Sequence, residues 1–322
     1  MTKVFIADQI PSKAVKKLQS AGLSVTIHDS EQGLITHEEL ENAVKDSDFL
    51  ITTLSTKVDE SIISAATKLK LIANFGAGFN NIDTKAASTH HILVTNTPVV
   101  STNSVAEVTL GLILAISHRI VEGDRLMHNQ GFSGWSPLFF LGHELAGKTL
   151  GVIGMGHIGR DVAKKAQAFS MNVQYWQPEQ FRLPRDEENR LNIRFAEFTD
   201  LLQTSDFITV HAPLTEENHH QLDAKAFKQM KSSAFLINAA RGPIVDEAAL
   251  ASALENHEIA GAALDVYEHE PTVTPGLKSM NNVILTPHIG NATVEARDSM
   301  AEICANNILD FLAGKSIQSA ET

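Results

Sequence analysis

Cysteine is nearly absent from this chain. The single one, Cys304, excludes an intrachain disulfide framework and fits a reducing cytoplasm. Basic residues are in deficit: 26 Lys and Arg stand against 38 Asp and Glu, for a formal net charge of −12. Nucleic acid and anionic membrane are therefore poor main partners, because phosphate-rich surfaces need clustered cations. A small anionic substrate stays open, since a few local cations hold one. No apolar run approaches a membrane span; the longest of helical character, Val108–Ile116, is far too short. The opening run Met1-Thr2-Lys3-Val4-Phe5-Ile6-Ala7-Asp8 is expected to be a first strand and not a signal peptide, because an acid interrupts a short apolar stretch. There is no low-complexity segment and no internal repeat at a short period, and residues 317–322 are expected to be a loose polar tail.

What is present is an alternation of short apolar runs with amphipathic stretches over 322 residues, a length that suits two domains. Hydrophobic residues make up 43% and charged residues 20%, ordinary for a soluble globular protein. Strands are predicted at 4–7, 24–28, 49–52, 71–74 and 92–95, with helices at 12–21, 36–44, 60–66 and 83–89 between them. A second series has strands at 149–153, 172–176, 207–211, 234–238, 262–265 and 283–285, and helices at 158–169, 198–204, 224–230 and 247–256. The fold class is α/β: two doubly wound parallel-sheet domains, the larger a Rossmann dinucleotide-binding domain. Single long helices are expected at about 104–127 and 295–312. The second carries the chain back, so residues 1–100 plus 291–322 are expected to form one discontinuous, flavodoxin-like domain around an inserted larger domain, 101–290. The Gly-, Pro- and aromatic-rich segment 131–143 reads as a loop against a partner or the cleft.

The run Gly154-Met155-Gly156-His157-Ile158-Gly159 places G-x-G-x-x-G after a predicted strand and before a predicted helix. Gly154 permits the tight turn, Gly156 lets a pyrophosphate reach the backbone, and Gly159 packs helix on strand. The helix N-terminus then offers free N–H groups and partial positive charge to phosphate. The next strand should end in an acid that binds the adenosine ribose, but Gln177 stands there. Arg182 and Arg185 follow, either as partners of a 2′-phosphate or as solvated surface charge, so the cofactor is NAD or NADP with the preference open.

Five further segments are recognisable in order: Gly147-Lys148-Thr149-Leu150-Gly151, His211-Ala212-Pro213-Leu214-Thr215, Asn238-Ala239-Ala240-Arg241-Gly242, Leu264-Asp265-Val266-Tyr267-Glu268-His269-Glu270-Pro271 and Thr286-Pro287-His288-Ile289-Gly290. On these the chain resembles the D-isomer-specific 2-hydroxyacid dehydrogenase family over essentially its full length. Gly134-Trp135-Ser136-Pro137-Leu138 and the run to Gly142 look most like glyoxylate and hydroxypyruvate reductases. The chain ends soon after the last long helix, so an appended regulatory domain is not expected. Departures from the family pattern fall at Val99, Asn80 and Gln177.

The resemblance implies a hydride exchanged between NAD(P)H and a small 2-keto or 2-hydroxy acid, with Arg241, Glu270 and His288 as the catalytic trio. His288 would give the proton in reduction, as imidazole titrates near neutrality. Glu270, chosen over Glu268, would hold the other ring nitrogen and favour imidazolium. Arg241 would grip the substrate carboxylate with a planar, permanently charged fork. Cofactor contacts are expected from Gly154, Gly156, His157, Ile158, Gly159, Gln177, Pro213, Thr215, Ala239, Ala240, Arg241, Asp265, His288 and Gly290, with Thr109 from the long helix. Substrate contacts are expected from Leu54, Ser55, Arg241, His288 and the backbone N–H nest Gly76-Ala77-Gly78. Trp135 shapes the site of its own or a partner subunit, or packs an interface. The pairs His90-His91 and His219-His220 read as loop residues and not metal ligands; no metal is expected, and a homodimer is. Alternatives are a 3-phosphoglycerate or D-lactate-type dehydrogenase, with Lys57 as the one cation to nominate for a phosphate, and a non-catalytic NAD(H)-sensing corepressor-like protein.

Overall fold

The computed structural model describes residues 1–29, 31, 33–317 and 319. The chain divides into two compact units, Met1–Ser101 with Ala292–Thr322, and Thr102–Asn291.

The first unit runs β1 (Lys3–Ile6), α1 (Ser12–Ser20), β2 (Ser24–Ile27), α2 (His37–Val44), β3 (Phe49–Thr53), α3 (Glu60–Ala65), β4 (Leu71–Phe75), α4 (Thr84–Thr89) and β5 (Leu93–Thr95), and is completed by the C-terminal helix Val294–Leu312. All pairings are parallel, in the order β2-β1-β3-β4-β5, the flavodoxin-type winding. Because strand side chains alternate, Val4 and Ile6 face one helical layer with Leu18, Ala301 and Ile308, while Phe5 and Ala7 face the other with Leu40 and Ile62. Local signals agree with this packing. Thr36 and Glu39 form a reciprocal capping box at the start of α2.

The second unit contains α5 (Thr102–Ser117), α6 (Ile120–Asn129), β6 (Thr149–Ile153), α7 (His157–Ala168), β7 (Asn172–Trp176), α8 (Arg185–Leu191), β8 (Arg194–Phe195), α9 (Phe198–Thr204), β9 (Phe207–Val210), α10 (Ala224–Gln229), β10 (Phe235–Asn238), α11 (Glu247–Glu255), β11 (Gly261–Leu264), α12 (Pro275–Lys278) and β12 (Val283–Leu285). Its seven parallel strands are ordered β12-β11-β10-β9-β6-β7-β8. Winding reverses between β6 and β9, the place where open α/β sheets open a ligand crevice at their carboxyl ends. Ile113 and Val162 pack on one face with Val152 and Ile237; Leu201, Phe227 and Leu250 pack on the other with Ile208 and Leu236.

The helix expected at 104–127 is two helices, bent by 63°. Arg119 sits at the break with φ +56 and N-caps α6, and its guanidinium bonds Glu122 at 2.6 and 2.8 Å. A left-handed residue cannot continue a right-handed helix, so the first one stops there. The short elements α8, β8 and α12 are additions to the expected list. Segment 131–143 has no helix or strand. Of the tail expected at 317–322, only 317 and 319 are among the described residues. No single helix among the described residues is long and apolar enough to cross a membrane.

Candidate active site

The phosphate turn is built by three glycines with three different surroundings. Gly154 has φ +94, and a Cβ there would lie 2.7 Å from the Ala212 nitrogen. A Cβ on Gly159 would lie 2.2 Å from the Gly154 carbonyl oxygen. Gly156 is the opposite case: a Cβ would meet nothing within 4 Å. This residue N-caps α7 without any side-chain cap, so the helix N-terminus at His157 and Ile158 opens onto free space. Glycines close the turn from inside and leave it open where a pyrophosphate would approach, which is the fit that dinucleotide binding requires.

Gln177 ends the segment after β7. Its Oε1 accepts from the Met155 N–H at 3.0 Å, and its Nε2 donates to the Phe181 carbonyl. The side chain thus ties the phosphate turn to the next loop, and both ends of the amide are engaged by main chain. Arg182 lies 4.1 Å over the Phe195 ring and 3.7 Å from Glu179 and Glu188, while Arg185 is exposed and 3.8 Å from Glu188. Pro213 and Thr215 lie in the loop after β9, closed by Asn218, which accepts from the Thr215 N–H and donates to the Pro213 carbonyl, each at 2.7 Å. His211 precedes that loop and packs against Gly154. Burial pushes its pKa down to about 3, so it is neutral at any working pH. Thr109 is fully buried, and its hydroxyl bonds the Val105 carbonyl of its own helix at 2.8 Å.

Arg241 follows β10 in a turn bracketed by Asn238, whose amide accepts from the Ala240 N–H at 3.1 Å and donates to the Arg241 carbonyl at 3.0 Å. The guanidinium donates to the Ala240 carbonyl at 2.6 Å. Burial lowers its pKa, and the charge of Glu270 opposes that shift. A Cβ on Gly242 would fall 1.9 Å from the Tyr267 carbonyl carbon, so the chain after Arg241 lies flat on the 267–268 peptide that leads to Glu270. Glu270 accepts from the Tyr267 N–H at 3.1 Å and meets His288 Nδ1 at 2.9 Å. With Nδ1 donating to the carboxylate, Nε2 is the ring nitrogen left to exchange a proton with a ligand, and no protein partner holds it among the described residues. His288 itself has φ +53, unusual for a residue with a side chain. Asp265, 1% exposed, fixes that conformation by accepting from the N–H groups of Ile289 at 2.8 Å and Gly290 at 2.7 Å and from Thr286 Oγ1 at 2.6 Å. Its carboxylate is therefore turned into the His288 loop. Ser104 closes the same loop by donating to the Gly290 carbonyl at 2.7 Å, and the Tyr267 hydroxyl donates to the Thr286 carbonyl at 2.7 Å. Burial lifts the Tyr267 phenol to about 12, which keeps it a donor.

Burial raises the Glu270 pKa, but the His288 hydrogen bond and charge outweigh it, helped by the Tyr267 N–H and Arg241, and the net shift is downward. Glu270 is therefore ionised through the neutral range and remains so as pH falls into the ordinary carboxylate range. The expected outcome is that turnover, followed against pH, loses the Glu270-dependent contribution only below that range. An acid limb lying above it and absent from Glu270→Gln would contradict the assignment.

In the first unit, a Cβ on Gly76 would strike the Leu54 side chain at 2.6 Å, and the Gly76 N–H bonds the Asn74 carbonyl. Asn74 and Asn96 brace the carbonyls of Gly78 and Ala77 at 2.7 and 2.9 Å. Among the described residues, no protein acceptor takes the N–H groups of Ala77 and Gly78. Ser55 is exposed and Leu54 partly buried.

A doubly wound sheet with an open glycine turn, and an imidazole–carboxylate pair beside a half-buried guanidinium on neighbouring strand ends, fits a nicotinamide-dependent oxidoreductase acting on CH–OH donors. Residues 110–290 match the sequence profile of the D-isomer specific 2-hydroxyacid dehydrogenase NAD binding domain. A Staphylococcus haemolyticus protein named "Putative 2-hydroxyacid dehydrogenase" is 51% identical over 318 residues, 99% of this chain and 98% of its own. A Thermus thermophilus protein of known structure is 37% identical with a TM-score of 0.91 over 100% of both chains. The NADPH-dependent glyoxylate/hydroxypyruvate reductase of Sinorhizobium meliloti, solved with NADP and malonate, is 28% identical with a TM-score of 0.82 over 99% of this chain and 96% of that one. The chain belongs to the D-isomer-specific 2-hydroxyacid dehydrogenase family, and its cofactor is NAD or NADP.

Proposed function

We propose that this dehydrogenase reduces glyoxylate or hydroxypyruvate to the corresponding 2-hydroxy acid. The observation that carries the reading is the His288–Glu270 bond of 2.9 Å, with the second imidazole nitrogen unheld and Arg241 on the adjoining turn. Bound NADH or NADPH supplies the hydride. Arg241 binds the substrate carboxylate and polarises the carbonyl oxygen, two acceptors that a 2-keto acid presents side by side. His288 Nε2 gives its proton to that oxygen as the carbon is reduced, and Glu270 stabilises the imidazolium before transfer and keeps the ring aimed. Asp265 holds the His288 loop. Leu54, Ser55 and the N–H groups of Ala77 and Gly78 are assigned to the substrate, whereas the Gly76 N–H is taken by the Asn74 carbonyl; the turn 154–159, Gln177, Pro213, Thr215, Ala239, Ala240 and Gly290 are assigned to the cofactor. The malonate-bound S. meliloti reductase supports a small carboxylate as ligand.

A panel of glyoxylate, hydroxypyruvate, pyruvate and 3-phosphohydroxypyruvate, run with NADH and with NADPH, tests the reading. The highest kcat/KM is expected for glyoxylate or hydroxypyruvate. Preference for pyruvate or the phosphorylated acid would move the assignment to the lactate or phosphoglycerate type. Tight NADH binding without turnover of any acid would favour a sensing protein instead.

The proposed enzyme is a cytoplasmic homodimer. Cys304 is a buried free thiol, as a reducing compartment permits. Phe132, Trp135, Leu138, Phe139 and Leu141 are exposed along one loop, Trp135 at 80% and Leu138 at 83%, and monomers rarely keep such a patch open. A single-chain mass in sedimentation at micromolar concentration would remove the dimer.

A further inference from the structure

A second histidine–carboxylate pair lies behind the first. His220 Nε2 donates to Glu268 Oε1 at 2.7 Å. Its own backbone N–H donates to the Pro243 carbonyl at 2.8 Å. One residue therefore grips both segments that the active site must hold in register: Arg241-Gly242-Pro243 by its main chain, and Tyr267-Glu268-His269-Glu270 by its side chain. Glu247, the first residue of α11 and 2% exposed, completes the frame. Glu247 Oε1 accepts from the Glu268 N–H at 2.7 Å, and Oε2 accepts from the Thr274 hydroxyl at 2.6 Å and N–H at 3.2 Å. In return, Glu268 Oε2 accepts from the Glu247 N–H at 3.3 Å. The loop that carries Glu270 is thus pinned on both shoulders, at 268 and at 274, to one buried carboxylate. Gly242 lies flat on the 267–268 peptide, at the first of these shoulders. His219 packs its ring 4.1 Å from that of His220, Asp246 stands 4.0 Å from His220 Nδ1, and His269 stands 3.9 Å from Glu268. Among the described residues, no group of three or more His, Cys, Asp or Glu is arranged to hold a metal ion.

We propose that His220, Glu268, Glu247 and Thr274 are positioning residues that set where Glu270 stands relative to Arg241, and through Glu270 the aim of His288. None of the four is assigned to substrate or cofactor. The inference rests on the trio acting as described above. Its physical basis is that Glu270 is 37% exposed in its side chain and its loop has no regular secondary structure, so hydrogen bonds from neighbouring segments must supply the rigidity. An orienting group displaced by about 1 Å costs up to about a hundredfold in rate.

Two pairs of variants of the full chain test the frame. His220→Ala removes the donor to Glu268, whereas His220→Gln places an amide N–H near the same position. Thr274→Val removes a donor to Glu247, whereas Thr274→Ser retains the hydroxyl. His220→Ala and Thr274→Val are expected to lower kcat by about tenfold to a hundredfold, with the keto-acid KM and the NADH dissociation constant, read by cofactor fluorescence, nearly unchanged. His220→Gln and Thr274→Ser are expected to recover most of the loss. Wild-type kcat in His220→Ala or Thr274→Val would overturn the proposal. So would equal losses in each rescuing and non-rescuing pair that follow the fall in melting temperature. Absence of turnover in the wild-type chain, by contrast, would overturn the trio itself.

Discussion

Replacing His288 with Asn is expected to lower kcat for keto-acid reduction by about a hundredfold to ten-thousandfold, the range for losing a positioned general acid. Asn is the informative substitution. It has no proton to give at neutral pH, yet it is among the few side chains that tolerate a left-handed backbone, and position 288 has φ +53. The loop around it is held by main-chain N–H groups of 289 and 290 on Asp265, and those do not involve the imidazole. Folding and cofactor affinity are therefore expected to survive, so the loss falls on the chemical step. Stopped-flow reduction with NADH, together with a fluorescence titration of NADH, separates the two. Full turnover with intact NADH binding would show that another group delivers the proton.

Arg241→Lys is expected to cost about 30-fold to several thousandfold in kcat/KM, the equivalent of the roughly 2–5 kcal/mol lost when one partner of a buried charged contact is broken. The charge is nominally kept, but two things are not. An ammonium cannot meet a carboxylate and an adjacent carbonyl oxygen with parallel donors. The site also lowers the pKa of its cation by burial. A guanidinium starts high enough to stay charged under that pressure, whereas an ammonium has about two units less margin. KM is expected to rise because substrate binding weakens, and kcat to fall because the carbonyl is no longer polarised. Kinetics with hydroxypyruvate across a range of concentrations measures both, and an unchanged kcat/KM would remove Arg241 from the substrate.

Much of the architecture is legible in the chain itself. The strand Thr149–Ile153 coincides with the observed element because both of its faces are buried and residues 150–153 carry no polar side chain. The glycine turn is legible because each glycine has a steric or ligand-facing reason to lack a side chain. The bend at Arg119 is not, since α5 and α6 are both helical by pattern and only the left-handed backbone of one half-buried residue breaks them apart. The two-residue strand Arg194–Phe195 is too short to leave a period.

In the site, the motif residues Arg241, Glu270 and His288 stand out locally, but what aims them does not. Asp265 reads as a strand-end acid facing the cofactor, and its carboxylate is found holding the 286–290 loop. His220 reads as one half of a loop pair, and its partner is 48 residues further on. Glu247 looks like an ordinary first-turn acid until its bonds to 268 and 274 are seen. Such partnerships join segments through the sheet order, and no periodicity within either segment encodes them. A single available signal is the crowding at Gly242, where only a residue without Cβ lets the two turns touch.

The trio acts as one unit in this account, with Glu270 working through His288. A double-mutant cycle on kcat tests that most directly: wild type, Glu270→Gln, His288→Asn and the double variant, each with saturating cofactor. The predicted result is strong non-additivity, the double variant being no slower than His288→Asn alone, because a carboxylate has nothing to orient once the imidazole is gone. Losses that multiply independently would contradict the account.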